Sequence, residues 1–81
     1  MIYLTYVLRS NKDYKRYIGS TNNLNRRIAE HNAGKVISTR RRKPMELIFL
    51  KKFATRKEAE TYEKFLKTGK GREWLDRHRV K

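Results

Sequence analysis

Two strand-like runs separated by a few polar residues constrain this chain more than any other feature. Residues 2–9, Ile-Tyr-Leu-Thr-Tyr-Val-Leu-Arg, are dense in β-branched and aromatic side chains, the types that suit a pleated surface. The two-residue period puts Ile2, Leu4, Tyr6 and Leu8 on one face and Tyr3, Thr5, Val7 and Arg9 on the other. Asn11 to Lys15 is polar and contains Asn-Lys-Asp. Arg16 to Ser20 resumes strand character, with Tyr17 and Gly19 on one face and Ile18 on the other. Strands this close in sequence read as an antiparallel hairpin.

The hairpin sets the frame for the rest. Asn22 or Asn23 suits the N-cap of a helix running to about Asn32. Leu24 and Ile28 form its apolar stripe, and Gly34 stands where a helix would end. Residues 35–44 read as a mobile basic loop closing on Arg40-Arg41-Arg42-Lys43 and the single proline, Pro44. Met45 to Phe53 is a third strand. The unbroken apolar stretch Leu47-Ile48-Phe49-Leu50 predicts that both its faces are covered. Thr55-Arg-Lys-Glu58 fits a capping box and opens a second helix with Ala59, Tyr62 and Leu66 on one face. Gly69 and Gly71 are expected to break it, and a short last helix carries Trp74 and Leu75 as its anchor. The order is β-β-α-β-α-α. It predicts an α+β fold, a three-stranded antiparallel sheet flanked by helices, with residues 1–81 as a single domain.

At 81 residues the chain lies near the small end of what folds alone. It has no cysteine, which excludes a disulfide framework and a thiolate metal site and suits a reducing compartment. No apolar stretch approaches a membrane span, and residues after Met1 lack a signal peptide's apolar run. The expectation is a cytoplasmic, unprocessed protein without membrane association. Charge is the loudest bulk signal: 22 Lys and Arg against 8 Asp and Glu, a net +14, spread over both halves. A small domain this basic attracts polyanions, of which nucleic acid is the commonest. A ribosome-associated structural protein would share that charge.

No phosphate-binding glycine loop, zinc spacing or Ser/His/Asp nucleophile signature is present. What stands out is a polar cluster around the hairpin and the two longer helices. Tyr6 and Tyr17 have an ordinary reading as strand residues. Arg27 and His31, four apart, share a helix face beside the Leu24 and Ile28 stripe, where they could reach over the sheet. Glu63 lies beside the apolar stripe of Ala59 and Leu66; its ordinary reading is an i,i+4 pair with Lys67. Tyr3, Phe49 and Phe53 read as core. Tyr14, in the hairpin loop, is an aromatic that could stack on a base.

Taken in order, these residues resemble the GIY-YIG nuclease superfamily, in particular its small stand-alone bacterial members. Tyr17-Ile18-Gly19 matches the second signature triplet. Leu4-Thr5-Tyr6 stands where the first falls, with only the tyrosine kept. Ser20-Thr21-Asn22-Asn23-Leu24-Asn25-Arg26-Arg27, then His31-Asn32 and Gly34, follow the family's small polar stretch, helix start, arginine and histidine. Glu58-Ala59 followed by Glu63 resembles its second-helix pattern. The chain departs from the family in two places: no asparagine follows Asn32, and Ser20 stands where some members carry lysine.

The resemblance implies hydrolysis of a phosphodiester in DNA, favoured over RNA, with a possible role in repair or recombination. It implies Mg²⁺ or Mn²⁺ on Glu63 and Arg27 on the phosphate. Tyr6 or Tyr17 would orient or deprotonate the attacking water, with His31 as an alternative proton acceptor. Arg27 and the metal would lower the tyrosine's pKa. Arg40, Arg41, Arg42 and Lys43 read as a phosphate-gripping loop. Since no second DNA-binding domain is visible, specificity must come from this domain or from a protein partner. The departures keep open a non-catalytic nucleic-acid-binding module on the same fold, and charge alone keeps open a basic RNA-associated structural protein.

Overall fold

The computed structural model describes residues 1–80. The hairpin forms as expected: β1 (Tyr3–Ser10) and β2 (Arg16–Thr21) pair antiparallel, Tyr6 opposite Gly19 and Leu8 opposite Tyr17. Ser10 organises the turn. Its hydroxyl accepts from the Lys12 and Asp13 amides at 3.0 and 3.2 Å, while the Asp13 carboxylate accepts from the Lys15 amide at 2.9 Å. α1 (Leu24–Asn32) follows, its N-terminus capped by Asn23, whose side chain accepts from the Arg26 amide at 3.1 Å. Gly34 ends it in the left-handed region, φ 78°, which glycine reaches without a Cβ penalty. β3 (Met45–Phe53), α2 (Arg56–Leu66) and α3 (Gly69–Arg77) complete the β-β-α-β-α-α order.

The sheet order is β2-β1-β3, all antiparallel, so β1 is the central strand, paired along both edges. On one face Tyr6, Leu8 and Met45 pack with Tyr17, Leu24 and Ile28 beneath α1. On the other, Val7 packs with Leu66, Leu75 and Val80 beneath α2 and α3, with Ile18, Ile48, Phe49, Tyr62 and Trp74 around them. Each wholly enclosed leucine contributes about 1.5–3 kcal/mol. The Thr5 hydroxyl, otherwise a buried polar group, donates to the Ala59 carbonyl at 2.7 Å and fixes α2 on the central strand.

Four expectations change. β3 lies at the sheet edge, and Leu47 and Leu50 are exposed. Its apolar run instead reflects a bulge: the register shifts between Val7 and Leu8, so Phe49 faces Val7 while Leu47 faces Leu8. The extra residue lets the consecutive Ile48 and Phe49 both pack on one core. Gly69 and Gly71 do not simply interrupt α2. Thr68 caps a new helix by accepting from the Gly71 amide at 3.1 Å, and both glycines lie in its first turn. Finally, residues 35–44 are folded into successive turns, Arg40 N–H bonding the Val36 carbonyl and Arg42 N–H the Thr39 carbonyl. Tyr3 and Phe53, expected in the core, are only half-buried.

Candidate active site

The register of the hairpin creates the centre of the site. Tyr6 on β1 faces Gly19 on β2, and its ring lies flat over that position. A Cβ added at Gly19 would fall 2.6 Å from the Tyr6 hydroxyl and 2.7 Å from Cζ. Glycine is there to admit the phenol.

α1 delivers two further groups to that hydroxyl. Arg27 Nε donates to Tyr6 Oη at 3.4 Å, and His31 Nε2 lies 3.3 Å from it. On the other side of the imidazole, Nδ1 lies 2.7 Å from the Thr39 hydroxyl, which itself reaches the Val36 carbonyl at 3.5 Å. The imidazole thus bridges two hydroxyls, Nε2 toward Tyr6 and Nδ1 toward Thr39, one ring nitrogen donating and the other accepting while the ring is neutral. Tyr17 stands edge-on to His31, ring centroids 4.8 Å apart, with Tyr6 at 6.4 Å.

Electrostatics follow from this packing. Tyr6 and His31 are fully enclosed. Burial holds the imidazole below its ordinary value near 6.5, and the adjacent Arg27 charge adds to the effect. Burial also raises the Tyr6 phenol above 10, against the opposing hydrogen bond from Arg27. Arg27 does act to lower the Tyr6 pKa, as a neighbouring cation should, but desolvation outweighs it and the net shift is upward. Arg27 is held firmly protonated, chiefly by Tyr6 and then by Glu30, whose carboxylate it meets at 3.1 Å.

Glu63 projects from α2 to the free edge of this cluster. One carboxylate oxygen accepts from Ser20 on β2 at 2.7 Å, the other from Lys67 at 2.7 Å. Among the described residues no group of three or more His, Cys, Asp or Glu is gathered to hold a metal. A single hard carboxylate still fits a magnesium-type ion, which keeps several waters and takes its remaining oxygens from a bound phosphate. Glu63 is 21% exposed in its side chain and Lys67 53%, so a cation can reach the oxygen that Lys67 holds.

Two clefts lie against the partners of Glu63, one at Ser20 and the other at Lys67. One, of about 250 Å³, is lined by Arg26, Arg27 and Arg56 together with Ser20 and Tyr3. The other, of about 710 Å³, runs past Tyr17 and Lys67. The structure thus gathers Tyr6, Tyr17, Arg27 and His31 around one point, with Glu63 beside them. Arg40, Arg41 and Lys43 are exposed on the adjacent loop. Arg42 is not: its guanidinium bonds Asp13 at 3.1 Å and its carbonyl accepts from Ser10. Sequence reasoning missed Thr39, Ser20 as a partner of Glu63, and the arginines at 26 and 56. Arg26 adjoins Arg27 in sequence, which was a usable signal. Nothing local marks Thr39.

A paired-tyrosine hairpin whose buried phenol meets an arginine and a histidine from the next helix defines a class of nuclease domain. The chain belongs to it: residues 2–75 match the GIY-YIG catalytic domain. Within that family its relatives are small bacterial proteins of the UPF0213 group. UPF0213 protein YazA of Bacillus subtilis is 43% identical over 63 residues, 76% of this chain and 63% of that protein. A UPF0213 protein of Streptococcus pneumoniae is 44% identical over 66 residues, 80% of this chain and 66% of that one. The chain thus aligns with slightly under two thirds of either relative's length. The solution structure of UPF0213 protein BH0048 from Bacillus halodurans superposes with a TM-score of 0.55 at 33% identity, covering 93% of this chain and 82% of that one. Among the described residues no helix is long and apolar enough to cross a membrane.

Proposed function

We propose that this chain is a divalent-metal-dependent endonuclease that hydrolyses phosphodiester bonds in DNA, acting in the cytoplasm in repair or recombination. The observation that carries the reading is the convergence of Arg27 and His31 on the Tyr6 hydroxyl. An interior arranged only for stability would not aim a guanidinium and an imidazole at one buried phenol.

The chemistry divides among the chain's own groups. Arg27, lining the arginine cleft, binds the scissile phosphate and stabilises charge that builds on its oxygens. Tyr17, the tyrosine that reaches the open cleft, orients the attacking water. The water oxygen bonds to phosphorus and the bond to the leaving sugar oxygen breaks. One hydrogen of the water ends on that oxygen and the other on solvent. Tyr6, His31 and Thr39 form the buried chain that holds Arg27 and Tyr17 in place. Glu63 would hold Mg²⁺ or Mn²⁺, which when bound stabilises negative charge on the phosphate and the leaving oxygen.

Single-turnover cleavage of a labelled DNA panel, with Mg²⁺, Mn²⁺ or EDTA, tests this. Cleavage that needs metal and is lost in Glu63→Gln is expected. Wild-type protein that binds the panel yet cleaves nothing with either metal would overturn the proposal in favour of a non-catalytic binding module.

A further inference from the structure

The larger cleft has a feature that phosphodiester hydrolysis does not require. It follows the outer edge of β2 and is closed on the far side by the α2–α3 corner, with Tyr17 and Ile18 on one wall and Lys67, Arg72 and Asp76 on the other. At its end stands Tyr14, 71% exposed and in the left-handed region at φ 61°. A bulky residue rarely adopts that conformation, because its Cβ crowds the backbone. The hairpin loop holds it there: the Tyr14 amide bonds the Ser10 carbonyl at 2.9 Å, and the Ser10 and Asp13 side chains fix the residues on either side. The loop therefore presents an aromatic ring to solvent, with the Arg9 guanidinium 5.9 Å from its centroid. Along the cleft, Arg16 is engaged by Asp76 and the Val80 carbonyl, and Lys67 by Glu63. The side chains of Lys15 and Arg72 meet no partner among the described residues.

A positively charged groove ending in an exposed aromatic on a hydrogen-bonded loop is what a single strand of nucleic acid needs. Its phosphates follow the cations and a base stacks on the ring, in a sequence-tolerant way. A base inside a duplex is stacked on both faces and has none free, and a duplex cannot thread its bases along the cleft toward the ring. We propose that this cleft binds an unpaired stretch of DNA running away from the scissile phosphate, with Tyr14 stacking on one of its bases and Lys15 and Arg72 neutralising its backbone. The inference rests on the nuclease reading and narrows it: the substrate is a junction of duplex with single strand, not a blunt duplex.

The test is equilibrium binding in EDTA by Glu63→Gln protein, so that cleavage plays no part. The probes are a blunt duplex and the same duplex carrying a short unpaired extension. The background variant should prefer the extended duplex. Adding Tyr14→Ala should remove that preference with a loss of about tenfold, the order of one base–aromatic stack, while Tyr14→Trp should keep it. Adding Lys15→Ala and Arg72→Ala should weaken binding of the extended duplex more than of the blunt one. Equal affinity for the two probes, or an unchanged preference after Tyr14→Ala, overturns the proposal. Because no turnover is read, either result leaves the metal-dependent cleavage assay to decide the nuclease reading separately.

Discussion

At the scale of single residues, the site is a set of mutual fits around one phenol. Gly19 sits where a side chain would meet that phenol. Its alanine variant would drive a methyl into an enclosed ring that has no room to move. Gly19→Ala is expected to lose about 1–3 kcal/mol of stability and most activity, read by thermal melting and single-turnover rate. Normal melting with normal activity would show that the ring can move after all. His31 predicts a pH dependence. Its pKa is held below 6.5 in the folded state by burial, so below 6.5 the unfolded chain takes up the proton first. The stability it contributes is complete above 6.5 and is lost as pH falls through the lowered folded value. Activity should fall over the same acid range, since a charged imidazole can accept from neither of the hydroxyls that it bridges, Tyr6 and Thr39. The stability of His31→Gln should depend less on pH in that window than that of wild type. Parallel curves for the two proteins would remove His31 as the titrating group.

At the scale of elements, the junctions carry the information. Two glycines two residues apart at the α2–α3 corner have opposite expected effects. A Cβ on Gly69 meets nothing, whereas one on Gly71 would fall 2.0 Å from the Phe65 carbonyl oxygen and 2.5 Å from Leu66 Cα. Gly69→Ala should be neutral or stabilising by up to ~1 kcal/mol through helix propensity. Gly71→Ala must push α3 off the end of α2 and should cost several times that, in the range of about 3 kcal/mol. Denaturant melts of the pair decide it, and equal effects would mean that the corner is not closely packed. This junction also shows what was legible beforehand. Strand alternation marked β1 and β2, Asn22 or Asn23 and Thr55 marked the helix starts, of which Asn23 is the cap of α1, and the i,i+4 spacing put Arg27 and His31 on one face, because each is a local regularity. The bulge at Ile48, the edge position of β3 and the close packing at Gly71 depend on which elements meet across the fold. The same holds for the site. Arg27 and His31 were readable from α1, but their shared target and the Thr39 support behind it arise only when β1, α1 and the basic loop come together. Asn32 is a case in point. Its amide accepts from the Met45 N–H at 2.7 Å and donates to the Met45 carbonyl at 3.2 Å, clamping α1 to β3, yet in sequence it is one more helix-terminal asparagine.

At the scale of the whole molecule, the question is where the charge goes. The ion pairs among the described residues join Arg9 to Glu46, Arg16 to Asp76, Arg26 and Arg27 to Glu30, Arg42 to Asp13 and Lys67 to Glu63. Those of Arg9, Arg16 and Arg42 join different parts of the fold and the others lie along α1 or at the end of α2, and together they leave most of the 22 cations uncompensated. Two consequences of opposite sign follow from the net +14. Self-repulsion opposes compaction, so added monovalent salt should raise the melting temperature by screening it. Binding to phosphates releases counterions, so the same salt should weaken DNA binding steeply. The basic loop divides the same way. Arg42 bonds Asp13 and anchors the loop to the hairpin turn, so Arg42→Ala should lower the melting temperature. Arg40, Arg41 and Lys43 face outward, so replacing those three by Ala should leave the melt nearly unchanged. It should flatten the plot of log affinity against log salt by about 0.9 for each phosphate that the loop no longer neutralises. Fluorescence anisotropy across a salt series measures that slope. An unchanged slope in the triple variant would remove the loop from the DNA interface and leave Arg26, Arg27 and Arg56 to grip the phosphates.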